Sequence, residues 1–419
     1  MQRHAGNSQW CLVHLRDSSP RHRRLALAAL AVSAFSIGVT EFVIAGVLPA
    51  VAISFRITIP TAGLLVSGYA LGVVVGAPLV TAAVLRLPRK QVLLALLVLF
   101  IAGNVLTAAA PGFLAVLAGR VLAALCHGAF LGIGSIVAAD LASPERRARA
   151  IAAMFTGLTV ANVAGVPLGT VIGQHFGWRS AFFAIAILGA VSMAGVALFV
   201  PRLEVPAGGD LREELTAFRD SQLWLALAIT ALGFGAVYAP FTYVAATMTR
   251  VTGYAPSAVP WLLMLFGLGL VVGNPLGARA ADRRLLATII SLLVVLIGIL
   301  LAFDQSARAK LPAAVTLFAL GAVGFATVPA FTSRVITAAS GGRANVLASS
   351  AAVAAFNLGN ATGAYLGGLA IASGHGYASP SLVGAAMATC ALVVAVITAA
   401  IEHRRRRVVT ALDPAADVP

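Results

Sequence analysis

Long apolar runs alternate with short polar breaks along the whole chain. Between residues 25 and 403 the apolar runs last about 20 residues, the length of helix that crosses ~30 Å of hydrocarbon. Charge clusters and Pro/Gly turns cut the chain into predicted helices at 25–48, 60–83, 91–110, 113–139, 149–173, 178–200, 222–248, 257–279, 285–303, 311–335, 345–371 and 380–401. Membrane-spanning strands would be shorter, and their polarity would alternate. The pattern therefore predicts an all-α polytopic membrane protein with twelve spans.

The polar breaks test that count. With both tails and the even-numbered loops on one side of the bilayer, 23 of the 29 Lys and Arg residues fall on that side. Five fall on the other: Arg56, Arg179, Arg250, Arg308 and Lys310. Arg120 lies inside the fourth span. Basic residues concentrate in cytoplasmic loops, so the rich side is the cytoplasm, and a missed span would scramble the bias. The expected organisation is a polar tail at 1–24, six spans over 25–200, a mixed-charge cytoplasmic linker at 201–221, six spans over 222–403 and a second cytoplasmic tail at 404–419.

Composition agrees. Hydrophobic residues make up 60% and charged residues 10%, against about 25% charged in soluble domains. The net charge of +15 is accounted for by the loops, so nucleic acid is not the expected partner. The three cysteines have no metal-binding spacing. No metal or cofactor is expected. The polar lead has no ordinary signal-peptide form.

The two sets of six spans repeat one another. Gly157, Ala161, Gly165, Gly169 and Gly173 recur 194 residues later as Ala351, Ala355, Gly359, Gly363 and Gly367. Residues four apart share a helix face, so each set makes a smooth ridge for close backbone approach. The shared shift predicts parallel repeats with a site between them near mid-membrane.

One acid stands apart. Of 14 Asp and Glu residues, eleven fall in loops or tails, and Asp140 and Asp304 close apolar runs. Glu41 lies deep within a run, where a charge is costly and by default functional. It reads as a proton or substrate site.

Several stretches resemble the major facilitator superfamily over roughly residues 25–403. They are Gly38-Val39-Thr40-Glu41-Phe42-Val43-Ile44-Ala45-Gly46-Val47-Leu48-Pro49, the run Gly119 to Phe130 around Arg120 and His127, Ala161 to Thr170 followed by Gly177-Trp178-Arg179, and Phe356-Asn357-Leu358-Gly359-Asn360 with Gly363-Ala364-Tyr365. Within that superfamily the chain looks like the twelve-span drug:proton antiporters, in particular the arabinose-efflux permease and chloramphenicol-exporter group. The resemblance implies proton-driven efflux of a small organic solute by alternating access, from a monomer in a bacterial inner membrane. A uniporter or importer is the alternative; a membrane-embedded transferase lacks the clustered acids it would need. The chain departs from the family's pattern in two places. Thr81 and Leu85 stand where the loop between spans two and three usually has Gly and Asp, although Arg86, Arg89 and Lys90 remain. The second half keeps Asp282 and Arg283. In span five Gly165 is followed by Val166, and Pro167 comes one position late, which displaces the expected bend.

The resemblance gives Arg120 a part in proton transfer. Arg120 and Glu41 form either a proton-coupling pair or a structural ion pair. His127, seven residues after Arg120 and on nearly the same face, is either a proton relay or a packed, hydrogen-bonded histidine. Asn162, Asn357 and Asn360 beside the ridges bind either substrate or a neighbouring helix. Tyr69, Tyr238, Phe241, Tyr243 and Tyr365 are candidate cavity aromatics, and Tyr238-Ala239-Pro240-Phe241 is expected to break span seven.

Overall fold

The structure, a computed structural model, describes residues 20–84, 87–143, 146–202, 217–339 and 346–412. These are mostly helical, with short turns between the helices and no strand among the described residues. The first six spans are α1 (Pro20–Phe55), α2 (Ile59–Val84), α3 (Arg89–Ala109), α4 and α5 (Phe113–Leu125 and His127–Asp140), α6 and α7 (Arg147–Val160 and Val166–Phe176), and α8 (Trp178–Phe199). The second six are α9 and α10 (Ser221–Thr242 and Val244–Arg250), α11 (Val259–Arg283), α12 (Leu285–Ser306), α13 (Lys310–Ala339), α14 (Val346–Ala370) and α15 (Pro380–Leu412). Eleven spans are long and apolar enough to cross a membrane by composition alone. The twelfth, α14, has 25 residues, about 37 Å of helix at 1.5 Å per residue. Its interior asparagines and small residues lower its apolarity, and it is packed between α2 and α9. The end helices run further than the apolar pattern indicated: α1 starts at Pro20 and α15 continues to Leu412.

The two ridges perform the same task in the two halves. A Cβ on Gly157 would overlap the Ala31 carbonyl, and one on Gly165 or Gly169 would strike Val39 or Val43 of α1. In the second half a Cβ on Gly359 would overlap the Ala231 carbonyl, and one on Gly363 the Gly235 carbonyl of α9. Glycine is required because backbone meets backbone. Each half is thus organised around its first span clasped by its fifth.

Three spans are interrupted. Span four turns at Cys126, whose thiol bonds back to the Ala123 carbonyl at 3.0 Å. In span five the displaced proline is preceded by a π-helical turn, Ala161–Gly165, an insertion that re-aims side chains. In span seven the break falls at Tyr243, later than expected. Pro240 stays inside α9, and Tyr243 leaves helical geometry at φ −106°, ψ 10°. A proline cannot donate to the carbonyl four residues back, and the freed Ala236 carbonyl is where α15 approaches with Gly384.

The halves meet along α2/α14, along α7 and the π turn against α11, and along α1/α9. Away from the basic loops the seam is tight. Ser67 Oγ donates to the Ala361 carbonyl at 3.0 Å, and Gln174 Nε2 to the Pro256 carbonyl at 2.8 Å. At the basic end the halves part around a cavity of ≈ 380 Å³. Leu131, Gly132, Ser135 and Phe155 wall it on one side, and Thr332, Ser349, Val353 and Phe356 on the other.

Candidate functional site

Glu41 lies about three-fifths of the way along α1 (Pro20–Phe55), yet its carboxylate belongs to the seam. Tyr238 Oη of α9 donates to Glu41 Oε1 at 3.0 Å. Asn360 Nδ2 of α14 reaches the same oxygen at 3.5 Å. His127 Nε2 of α5 stands 3.9 Å from Glu41 Oε2. The acid side chain is 13% exposed, so it is neither turned to lipid nor completely enclosed. One half supplies the acid; the other supplies its hydrogen-bond donors.

Arg120 reaches the same place differently from the sequence expectation. Its Nη1 donates to the main-chain carbonyl of Thr40 at 2.6 Å, one residue before the acid, rather than to the carboxylate. The guanidinium lies over the Tyr69 ring, 4.2 Å from its centroid, an arrangement that a cation finds favourable. Arg120 is 1% exposed, and its Nε and Nη2 have no hydrogen-bond partner. Tyr69 Oη also shares a hydrogen with His127 Nδ1 at 3.1 Å. If Tyr69 is the donor there, the histidine's other nitrogen carries the hydrogen that faces Glu41. Thr40 Oγ1 bonds Asn104 Oδ1 at 3.2 Å, which fixes α1 against α3 beside the acid. Glu41, His127, Tyr69 and Arg120 therefore form one connected group.

The second half contributes an aromatic cluster. Phe42, next to the acid, packs on Tyr238 and Phe241 at 5.8 Å between centroids. Phe241 stacks on Phe266 at 4.5 Å, and Phe234 meets Phe356 edge-to-face at 4.9 Å. Phe325 joins Phe42, Phe234 and Phe266. Of these, the sequence pattern points only to Tyr238 and Phe241. The signal was present: Phe42 adjoins Glu41, and Phe234 lies one turn before Tyr238.

The remaining candidates lie apart from this group. Asn162 occupies the π turn, bonds the Leu158 carbonyl of its own helix at 3.0 Å, and meets Gly267 of α11 through its backbone. Tyr243 donates to the Ala364 carbonyl at 2.7 Å at the tight end of the seam. Tyr365 is half exposed and shares its outer face with Leu358, Leu366 and Leu369; the structure directs it outward, not into the cluster. Asn357 bonds the Val353 carbonyl at 3.0 Å. At the basic end Arg89 pairs with Asp140 of α5, and Lys90 Nζ donates to the Ala197 carbonyl at 2.7 Å. The acid missing from the loop is thus replaced, for Arg89, by the one that closes span four. Arg86 lies outside the described residues. Asp282 and Arg283 are exposed at the end of α11. A second basic-end link was missed in the sequence. Buried Arg334 bonds Gln222 at 2.8 Å and Glu402 at 2.7 Å, tying spans seven, ten and twelve together.

The model of the Major Facilitator Superfamily matches residues 30–255. The chain belongs to the major facilitator superfamily. It is a multi-pass membrane protein of a family of transporters, and its fold is the two-bundle fold of that family. It is 41% identical to the inner membrane transport protein YdhP of Escherichia coli strain K12, over 89% of this chain and 95% of that one. It is 35% identical to the chloramphenicol resistance protein of Streptomyces lividans, over 88% of this chain and 95% of that one. Among solved structures it is similar to a bacterial homologue of the human lysosomal transporter Spinster, described as inward-facing and unoccupied. The TM-score is 0.67 at 20% identity, with 91% of this chain and 96% of that one covered. That likeness concerns the fold alone.

Proposed function

We propose that this superfamily member exports a small organic solute in exchange for protons, by alternating access, with Glu41 as the proton-carrying group. The observation that carries the reading is the acid's position across the seam: α1 provides the carboxylate, and Tyr238 and Asn360 of the other half donate to it. An ionised carboxylate accepts both bonds strongly; a protonated one accepts more weakly and adds a donor of its own. Protonation therefore changes how firmly the halves are joined. Coupling requires this, because a ligand shifts an equilibrium only by its differential affinity for the two states.

In this reading His127, with Tyr69 and Arg120, passes the proton between Glu41 and the cavity, whose wall begins at the next residue, Gly128. Residues 25–200 and 222–403 are the two moving bodies, joined by 201–221. The basic end is cytoplasmic, in keeping with the charge bias, so the cavity opens inward in a bacterial inner membrane. Arg86, Arg89, Lys90, Asp282 and Arg283 steady the loops that part there. Gly157, Gly165, Pro167 and Gly169 let span five pivot on α1. Protons, the solute and the lipid bilayer are the partners of a monomer. The chloramphenicol resistance relative favours a drug such as a phenicol as cargo, with a sugar as the other class.

The test is a reconstituted-liposome assay with an imposed pH gradient. The unaltered protein should drive solute against its gradient. Glu41→Gln should lose gradient-driven transport while still exchanging solute across the membrane. Gradient-driven transport that persists in this variant would reject the role of Glu41, and flux indifferent to the gradient in the unaltered protein would favour a uniporter.

A further inference from the structure

Two asparagines of α14 have an oxygen with no partner. Asn357 is 4% exposed and Asn360 2% exposed, and the Oδ1 of each lacks any hydrogen bond. Their amide orientations are fixed by chemistry. Asn357 Nδ2 faces the Val353 carbonyl, which can only accept, and Asn360 Nδ2 faces Glu41 Oε1, which only accepts while the acid is ionised. The free atom is therefore a carbonyl oxygen at Asn357, and at Asn360 in the state with Glu41 ionised. Residues three apart on a helix are neighbours on its surface, so the two acceptors belong to one face of α14. A buried polar group left unpaired is costly, and two adjacent ones of the same kind call for a common partner.

The two side chains lie just beyond the lining of the cavity at the basic end. Val353 and Phe356 line the cavity at the basic end, and Gly128 lines it opposite them. Asn357 is one turn beyond Val353, and Asn360 one turn beyond Phe356. The cavity wall is otherwise apolar, apart from Arg89 and the hydroxyls of Ser135, Thr332, Ser349 and Ser350. Phe356 lines the cavity one turn before Asn360, and Phe234 meets its ring edge-to-face.

We infer that Asn357 and Asn360 select the solute. They take an uncharged molecule that carries adjacent O–H or N–H donors on an aromatic or otherwise flat apolar body. The donors meet the two carbonyls, and the body lies against Val353 and Phe356 in the inner cavity. A solute rich in acceptors, or an anion, would face the carbonyls with like polarity and be rejected. This inference deepens the transport reading and rests on it for direction only; binding itself requires no proton gradient.

The experiment is equilibrium binding to the purified full chain in detergent, without a gradient. The probes are neutral aromatic 1,2- and 1,3-diols, with 3-phenoxypropane-1,2-diol as the smallest, each paired with its dimethyl ether. The unaltered protein should bind the diols about tenfold more tightly than the ethers, because the ethers leave both carbonyls unpaired. Asn357→Leu, of similar size, should lose most of that preference while still binding the ethers. Ether binding also reports that the variant is folded. Asn357→Ser, which restores an acceptor oxygen, should recover part of the preference. Equal binding of diols and ethers by the unaltered protein would mean that water alone fills the place, and would overturn the assignment. So would a preference that survives in Asn357→Leu, which would trace to size. A Glu41→Gln protein that still couples transport to protons would reject the role of Glu41 and leave the diol preference standing.

Discussion

The two halves of the molecule share their packing and differ in their chemistry. In each, a ridge of small residues on the fifth span lies against the first span of that half, with backbone on backbone at Gly157 and Gly363. Inside, they diverge. The first half holds the titratable group of Glu41, Arg120, His127 and Tyr69. The second half has Gly235 at the position 194 residues after Glu41 and an aromatic cluster in place of charge. The halves share what the clasp requires, close helix approach, and differ in their interiors. The first half carries the titratable group and the second the aromatic cluster. Function then depends on the seam where they touch.

If the shared ridges are the frame of both halves, breaking either should have the same large effect. Gly157→Val and Gly363→Val each place carbon into a facing carbonyl. Each should cost ~3 kcal/mol or more, the range of severe overpacking, with loss of folded protein on size exclusion. A large loss in one half and none in the other would end the structural equivalence. A smaller effect tests the seam. Tyr238→Phe removes the hydroxyl that the second half donates to Glu41 and keeps the ring in the aromatic cluster. Gradient-driven transport should fall roughly five- to tenfold, in line with a hydrogen bond to a charged group of about 1.5–3 kcal/mol partly replaced by water, while thermal stability stays within about 1 kcal/mol. Unchanged transport in liposomes would show that the cross-seam bond is dispensable. The smallest effect is expected at Tyr365. Its ring is half exposed on the outer face of α14, so Tyr365→Leu should change both flux and melting temperature by no more than surface substitutions do, about 0.5 kcal/mol. A strong transport defect there would place the ring in the solute path.

Much of this was legible in the residues. Span number and two-fold repetition follow from a single requirement, that backbone crossing hydrocarbon be helical and apolar enough to insert. Spacing and the shared shift identified the glycine ridges because packing of this kind depends on residues four apart. Glu41 stood out because no other acid lies so deep in an apolar run. The break in span seven was foreseen near Pro240 but fell at Tyr243, because the proline ring frees a carbonyl one turn earlier while the helix continues through it.

The partners of these residues were not legible. Sequence suggested Arg120 as the counter-charge of Glu41; the fold instead gives Arg120 the Thr40 carbonyl and the Tyr69 ring, and gives the acid Tyr238, Asn360 and His127. Asn360 is 319 positions away in the chain from Glu41, and no periodicity links such distant residues. The sequence alone determined which segments are apolar enough to enter the membrane and that a costly acid lies within one of them. Only the tertiary structure decided what that acid touches, because local pattern dictates insertion and helix faces, whereas side-chain contacts across a seam depend on how two separately packed bundles are set against each other.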